Sequence, residues 1–289
     1  MLLLIPIGFH VPIIVVILTY VTHARAKTDL RRIIVMLNFG FLLGEFLMRS
    51  VGARIAEHSG FELVFQVSSL TFLLATIPVL LLAPQLSEKK HIRKDYRPLL
   101  RSRNFKVISL FSFSIFFIMQ AGQALIPNYL QEVVGLELSS IGDLGALSTL
   151  AGALLSLVFG GIGFRRGLIG AQIGFIIALI LILALPSGIG LIVGFFFLGS
   201  FSATYALTDA LISSTAPTSL VGLALGVQTS LISLGNSLGP VASGLLYDRA
   251  PSLPLIVSAL GLCILILFTF LVPLPEKEEL LLKKPPNPS

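Results

Sequence analysis

Nine stretches of this sequence are apolar for long enough to cross a bilayer, and no other feature restricts the fold as strongly. A helix needs about 20 predominantly apolar residues to traverse the hydrocarbon core. Such runs lie at 2–22, 33–54, 63–83, 105–129, 139–163, 168–186, 188–211, 221–246 and 253–273, lettered a to i in chain order. They are too long and too uniformly apolar for membrane-barrel strands, which alternate and span in about 10 residues. Charged residues make up only 12% of the chain and apolar ones 55%, too little polar surface to coat a soluble globule. Disorder is excluded by the same balance. The expected fold is an all-α polytopic membrane protein, a bundle of nine transmembrane helices. Run a has no positive residue before its apolar core, so it reads as an anchoring helix rather than a cleaved leader.

Lysine and arginine predict the orientation. The a–b, c–d, e–f and g–h connections and the C-terminal tail together hold 17 of the 20 Lys and Arg residues. The other side holds Arg49, Arg54 and Arg249. Positive residues stay cytoplasmic, which puts the N-terminus outside and the C-terminus inside, with the cell membrane as the expected location. The net charge of +6 is thus a topology signal, and a nucleic-acid partner is not expected. The expected partners are the lipid bilayer, a small solute and protons.

The longest polar interruption, QLSEKKHIRKDYRPLLRSRN at 85–104, separates three helices from six. The expected organisation is a three-helix unit at 1–84, a cytoplasmic linker at 85–104, a six-helix bundle at 105–273 and a cytoplasmic tail at 274–289. The chain also resembles itself. Gly40 and Gly44 in helix b are spaced like Gly235 and Gly239 in helix h, offset by 195 residues. In both places an inward connection precedes the helix and a last apolar helix follows. Helices a–b–c therefore look like g–h–i, and d–e–f has no counterpart before a. Many transporters pair such three-helix units, so the pattern reads as three plus six.

Helix h carries Gly226, Gly235, Gly239, Pro240, Ser243 and Gly244. Small residues four apart share a helix face and let a neighbouring backbone approach. Proline removes a backbone donor and kinks a helix. These five residues, Gly226, Gly235, Gly239, Pro240 and Gly244, are the expected packing and hinge positions. Their spacing is similar to the antiporter motif of the major facilitator superfamily, Gly-x8-Gly-x3-Gly-Pro-x2-Gly-Gly, with Ser243 at one glycine position. Residues 126–147, IPNYLQEVVGLELSSIGDLGAL, resemble the family's seventh-to-eighth helix passage. Residues 160–167, GGIGFRRG, resemble a degenerate copy of its inner-loop signature, keeping Arg165 and Arg166 but lacking the acidic residue. Tyr247-Asp248 and Ser252-Leu253-Pro254 look like the eleventh-to-twelfth passage of drug-exporter-type members. The resemblance runs from the family's fourth helix to its twelfth and leaves its first three without a counterpart. It implies a secondary transporter working by alternating access, expected to export a small organic solute in exchange for protons. The alternative is a truncated, non-transporting fragment of such a protein.

Helix b departs from the family pattern, with Glu45 in place of the motif proline and Met48 and Arg49 in place of the two glycines. An intramembrane carboxylate is costly unless paired or neutralised. Arg49 sits one turn from Glu45 on the same face. The pair is either a proton-coupling site or a static ion pair that orients the helix. Asp209 in helix g is a second proton-coupling candidate.

Gln120, Gln123 and Asn128 are three polar side chains on the otherwise apolar helix d. The resemblance makes that helix cavity-lining, so they are expected substrate contacts. Tyr205 on helix g joins them, as does His10 on helix a, which resembles a cavity-lining helix. Gln172, Gln228 and Asn236 are expected to bond helix to helix. No Gly-x4-Gly-Lys-Ser/Thr run occurs, and His10, His23, His58 and His91 fall in no metal-ligand spacing. No cofactor, no metal and no enzymatic activity are expected.

Overall fold

The computed structural model describes residues 30–80, 101–216 and 220–272. Helix a, most of the central linker and the C-terminal tail lie outside the described residues. Within them the chain is helical, without a strand.

The first element, α1 (Leu30–Leu80), contains run b and residues 63–80 of run c. The expected loop between 54 and 63 does not form. Residues 55–59 stay helical, and the direction changes at Gly60 alone, where φ is 81° and ψ is 164°. No side-chain-bearing residue enters that region cheaply, whereas glycine does. The polar residues around the turn need no loop to reach water, because a helix end at the membrane surface exposes them already.

Six further spans follow, and their limits agree closely with runs d to i. α2 (Arg103–Gln123) is opened by Ser102, whose hydroxyl accepts a hydrogen bond from the Phe105 amide at 3.3 Å. This satisfies one of the orphan donors of the first turn. The span continues through α3 (Ile126–Tyr129) into a π-helical turn at Leu130–Val134. Pro127 begins that continuation, and Gly135 in the left-handed region ends it. α4 (Leu138–Gly161) and α5 (Phe164–Ala184) are joined at Gly163, where φ is 91°. α6 (Gly188–Leu198) and α7 (Ser200–Thr215) form one span interrupted at Gly199. α8 (Val221–Tyr247) runs through Pro240, and α9 (Leu253–Leu271) begins at a proline-containing first turn. Six helices among the described residues are long and apolar enough to cross a membrane, and α1 is not counted with them.

α2 lies between α8 and α9, and α5 packs on α6, α7 and α9. α4 packs on α6 and α7, and α1 rests on α4. The shared core includes Ile108, Phe116, Met119, Phe175, Leu179, Ile182 and Ile232, all fully buried. Large apolar side chains also point outward, with Leu271 and Leu157 each 76% exposed and Ile189 78% exposed. That pattern suits a hydrocarbon solvent. Lipid tails are as apolar as leucine, so close packing rather than hydrophobic burial must hold the helices together. The closest approach of α8 to α2 occurs at two glycines. A β-carbon on Gly235 would lie 2.9 Å from the Phe113 carbonyl oxygen, and one on Gly239 would lie 2.9 Å from the Ala121 nitrogen.

The connections alternate between two ends. One end carries Gly60, the 130–137 turn, residues 185–187 and residues 248–252. The opposite end carries residues 162–163 and residues 216 and 220.

Candidate functional site

At the Gly60 end, α1 is stitched to α4 by side chains. Glu45 and Arg49 form the expected ion pair, with Nη2 to Oε1 at 2.5 Å. The same guanidinium turns its Nη1 towards α4, 3.4 Å from the Gly145 carbonyl and 3.5 Å from the Ser148 hydroxyl. One turn further along, Ser50 donates to Asp143, while Arg54 donates to both Ser50 and Asp143. The Arg54–Asp143 ion pair measures 2.8 Å. A further turn along, the Ser139 amide in the first turn of α4 donates to the Glu57 carboxylate at 2.8 Å. The carboxylate thereby serves an orphan donor at a helix start, where negative charge is also favoured. Hydrogen bonding from Ser139 holds Glu57 below its ordinary value of 4.5. Glu57 lies between runs b and c, outside the bilayer spans.

Glycine makes this contact close. A β-carbon on Gly142 would lie 2.3 Å from the Ala53 β-carbon and 2.7 Å from the Arg49 carbonyl oxygen. Gly145, one turn along, faces the aliphatic part of Arg49. A depression of about 340 Å³ beside the ladder is lined by Leu136, Ser140, Asp143, Leu144, Gly188 and Leu191. Its one charged residue, Asp143, is already engaged by Arg54 and Ser50.

A second constellation lies within the six-helix bundle, where α2, α7 and α8 meet. The rings of Phe116 and Tyr205 are 4.4 Å apart between centroids, and Phe116 and Phe201 meet edge to face at 5.5 Å. Such contacts match the quadrupoles of aromatic rings. Asn236 on α8 donates its amide to the Tyr205 hydroxyl at 2.9 Å. Gln123 donates to Gln120 at 2.7 Å, as two residues three apart on one face are placed to do. The β-carbon of Gln120 lies against Gly239, three residues beyond Asn236 on α8. Asp209 sits one helical turn beyond Tyr205, part-buried. Gln120 and Gln123 thus pair on α2 beyond Phe116, Tyr205 meets Phe116 and Asn236, and Asp209 lies one turn further along α7.

The remaining sequence positions disperse. Asn128 lies beyond the break after Gln123 and is exposed. His10 lies outside the described residues. Of the helix h glycines, Gly235 and Gly239 touch α2, whereas a β-carbon on Gly226 or Gly244 would meet nothing within 4 Å among the described residues. Gln172 bonds Thr269 at 3.0 Å, joining α5 to α9. Gln228 is fully buried, and neither polar atom of its amide finds a partner among the described residues. Arg165 does not form an ion pair among the described residues. It donates to the Phe270 and Val272 carbonyls, serving the orphan acceptors at the end of α9. No group of three or more potential metal ligands occurs among the described residues.

Two kinds of residue escaped the sequence reading. Phe116 and Phe201 were indistinguishable from ordinary packing side chains in an apolar span. Ser50, Arg54 and Asp143 are charged or polar residues near helix ends, where solvation is the usual fate. Asn236 was expected to bond helix to helix; it does so through Tyr205, a residue assigned to substrate contact.

A family model for the Major Facilitator Superfamily matches the chain twice, over residues 1–166 and 108–287. The chain belongs to the Major Facilitator Superfamily. No curated protein matches it. This Major Facilitator Superfamily member is an integral membrane protein and a transporter, and members of the family handle small solutes rather than catalyse their conversion.

Proposed function

We propose that the chain is a secondary active transporter of the cell membrane that exports a small organic solute by alternating access, in exchange for protons. The observation that carries this reading is the ladder between α1 and α4. All its polar contacts fall at α4 residues 139–148, towards the Gly60 end. The lysine and arginine bias makes that end the outer one, with the N-terminus outside and the C-terminus cytoplasmic. A device that fastens two units at one membrane face, and is built of half-exposed pairs, suits repeated closing and opening.

The substrate path then passes the amides Gln120 and Gln123, with Tyr205 and its partner Asn236. His10 and Asn128 are further candidates along it. Two carboxylates compete for the coupling role. Glu45 is held by Arg49 at 2.5 Å, which suits an orienting pair. Asp209 has no such tie among the described residues, so it is the stronger proton carrier. The proposed organisation keeps a three-helix unit at 1–84, a linker at 85–104, six helices at 105–273 and a tail at 274–289. Residues 108–166 fall in both family matches, which supports a repeat.

The test is flux in proteoliposomes loaded with labelled cationic, anionic and neutral organic solutes under an imposed pH gradient. Gradient-driven movement of at least one class, lost in Asp209→Asn and kept in Glu45→Gln, is the expected result. No flux of any class overturns the transport reading. Flux indifferent to the gradient overturns the proton coupling.

A further inference from the structure

We propose that α9, together with the starts of α2 and α5, forms a docking surface for anionic phospholipids of the leaflet at that end of the bundle. Which solute the chain moves, and in which direction, does not bear on this surface.

Close contacts fix the three helices that form it. A β-carbon on Gly122 would lie 2.7 Å from the Ser258 β-carbon, and one on Gly261 would lie 3.2 Å from the Ile118 side chain. α2 and α9 are thus antiparallel, in a register that brings the start of α2 level with the end of α9. On the other flank Gln172 bonds Thr269, and Arg165 donates to the Phe270 and Val272 carbonyls. The end of α9 therefore stands between the first turns of α2 and α5.

That end is basic. Arg101, Arg103 and Lys106 are exposed at the start of α2, and Arg166 is exposed at the start of α5. None of the four forms an ion pair among the described residues. The carboxylates Glu132, Glu137, Asp143 and Asp248 belong to the opposite end of the bundle, and Asp209 is part-buried on α7. A helix start carries partial positive charge and favours an anion. Neither first turn contains an acidic residue, and α5 has no side-chain cap. Both helix starts thus meet like charge, which a bound anion relieves.

Topology accounts for cations at one end of the bundle; it does not choose the face they occupy. Arg103, Lys106, Val107 and Leu110 are three or four residues apart and share one face of α2. Val107 and Leu110 on that face are 36% and 65% exposed. Arg166 heads a similar strip on α5, followed at helical spacing by the exposed Ile173, Ile177 and Ile180. Between the two, α9 exposes Leu260, Ile264, Leu267 and Leu271 as one continuous stripe. On both flanks a cation stands over outward apolar side chains. An anionic phospholipid has the same order, with phosphate at the level of the cations and acyl chains along the strips. Arginine suits phosphate through its paired N–H groups, and basic clusters beside membrane helices attract anionic headgroups. A soluble phosphate would leave the apolar strips unused, and a zwitterionic lipid would bring an ammonium group to the cations.

The experiment measures retention of tritiated dioleoyl phosphatidylglycerol by the immobilised full-length chain in mixed micelles. Unlabelled phosphatidylglycerol should displace the label, dioleoyl phosphatidylcholine should need a mole fraction about tenfold higher or more, and millimolar glycerol phosphate should not compete. Each cation removed should weaken retention about fivefold, giving about 25-fold for Arg103→Gln with Lys106→Gln and about fivefold for Arg166→Gln. The charge-conserving pair Arg103→Lys with Lys106→Arg should stay within about threefold of the wild type. Arg249→Gln, which removes an exposed cation at the opposite end, should leave retention unchanged. Gel filtration of each variant as a single species establishes that the fold survives, and Arg166→Gln with the two competitors keeps the test decisive if the double variant does not fold. Equal competition by phosphatidylcholine overturns the selectivity for anionic lipid. Competition by glycerol phosphate makes the surface an anion site rather than a lipid one. Wild-type retention by the glutamine variants, or an equal loss in Arg249→Gln, overturns the placement of the surface.

Discussion

Replacing Gly142 with alanine tests the contact that closes α1 against α4. The new methyl would lie 2.3 Å from the Ala53 β-carbon and 2.7 Å from the Arg49 carbonyl oxygen. Carbon atoms in comfortable contact stand about 3.5–4.0 Å apart, so the helices must separate by about 1 Å. Neither obstacle is the flexible end of a side chain, so a rotamer change does not relieve it. Overpacking of this kind costs about 1–3 kcal/mol. The cost falls only on conformations in which the two helices touch at this level. The equilibrium between closed and open states of the proposed outer face should therefore shift by about 5–150-fold towards open. The readout is labelling at Ser148→Cys in a Cys263→Ser background. Ser148 is 7% exposed and lies 3.5 Å from the Arg49 guanidinium, on the inner side of Gly142. A membrane-impermeant maleimide applied from outside should label it at least about fivefold faster when Gly142→Ala is present. An unchanged rate, with an unchanged melting temperature, would refute the reasoning that this glycine permits closure.

Three other outcomes are expected. A double-mutant cycle on Arg54→Ala and Asp143→Ala should give a coupling of about 1 kcal/mol or less, because both side chains are about half exposed; unfolding in mixed micelles measures it, and a value above about 2 kcal/mol contradicts the weak-latch picture. Gly239→Ala should destabilise the six-helix bundle by about 1–3 kcal/mol, since its methyl would meet the Ala121 nitrogen at 2.9 Å and the Phe117 carbonyl oxygen at 3.0 Å. Gly244→Ala should be neutral or mildly stabilising, as it meets nothing within 4 Å among the described residues; comparable losses at the two sites in a thermal assay would contradict the packing assigned to them. Glu57 is held below 4.5, so its contribution is complete above that pH and is lost only as acid falls through the lowered value. The difference in melting temperature between the wild type and Glu57→Gln should stay flat from about pH 5 to 8 and shrink under stronger acid. A difference that changes near neutrality would show that another group controls this cap.

The six spans from α2 to α9 were legible because the bilayer imposes a length and polarity that sequence displays directly. Glu45 with Arg49, and Gln120 with Gln123, were equally legible, since helical spacing alone brings residues three or four apart together. The turn at Gly60 was not. Residues 57–59 are polar, and polarity marks both a loop and a helix end that has reached water.

Partners distant in the chain were hidden for a different reason. Ser50 and Asp143 are 93 residues apart, and Tyr205 and Asn236 are 31 apart. No local period links them. Gly226, Gly235, Gly239 and Gly244 share one motif, yet among the described residues only the middle two touch another backbone. Spacing places glycines on a face; what the face meets depends on the neighbouring helix. The sequence by itself determined that this chain lives in a membrane, where the six spans from α2 to α9 begin and end, and to which transporter family it is similar. Tertiary structure alone decided that α1 meets α4 through Gly142, Arg54 and Asp143, and that Phe116 on α2 packs against Phe201 and Tyr205 on α7. The division follows from the forces involved. Partition into lipid is summed along a segment and can be read from it, whereas close packing and ion pairing arise only between segments once they meet.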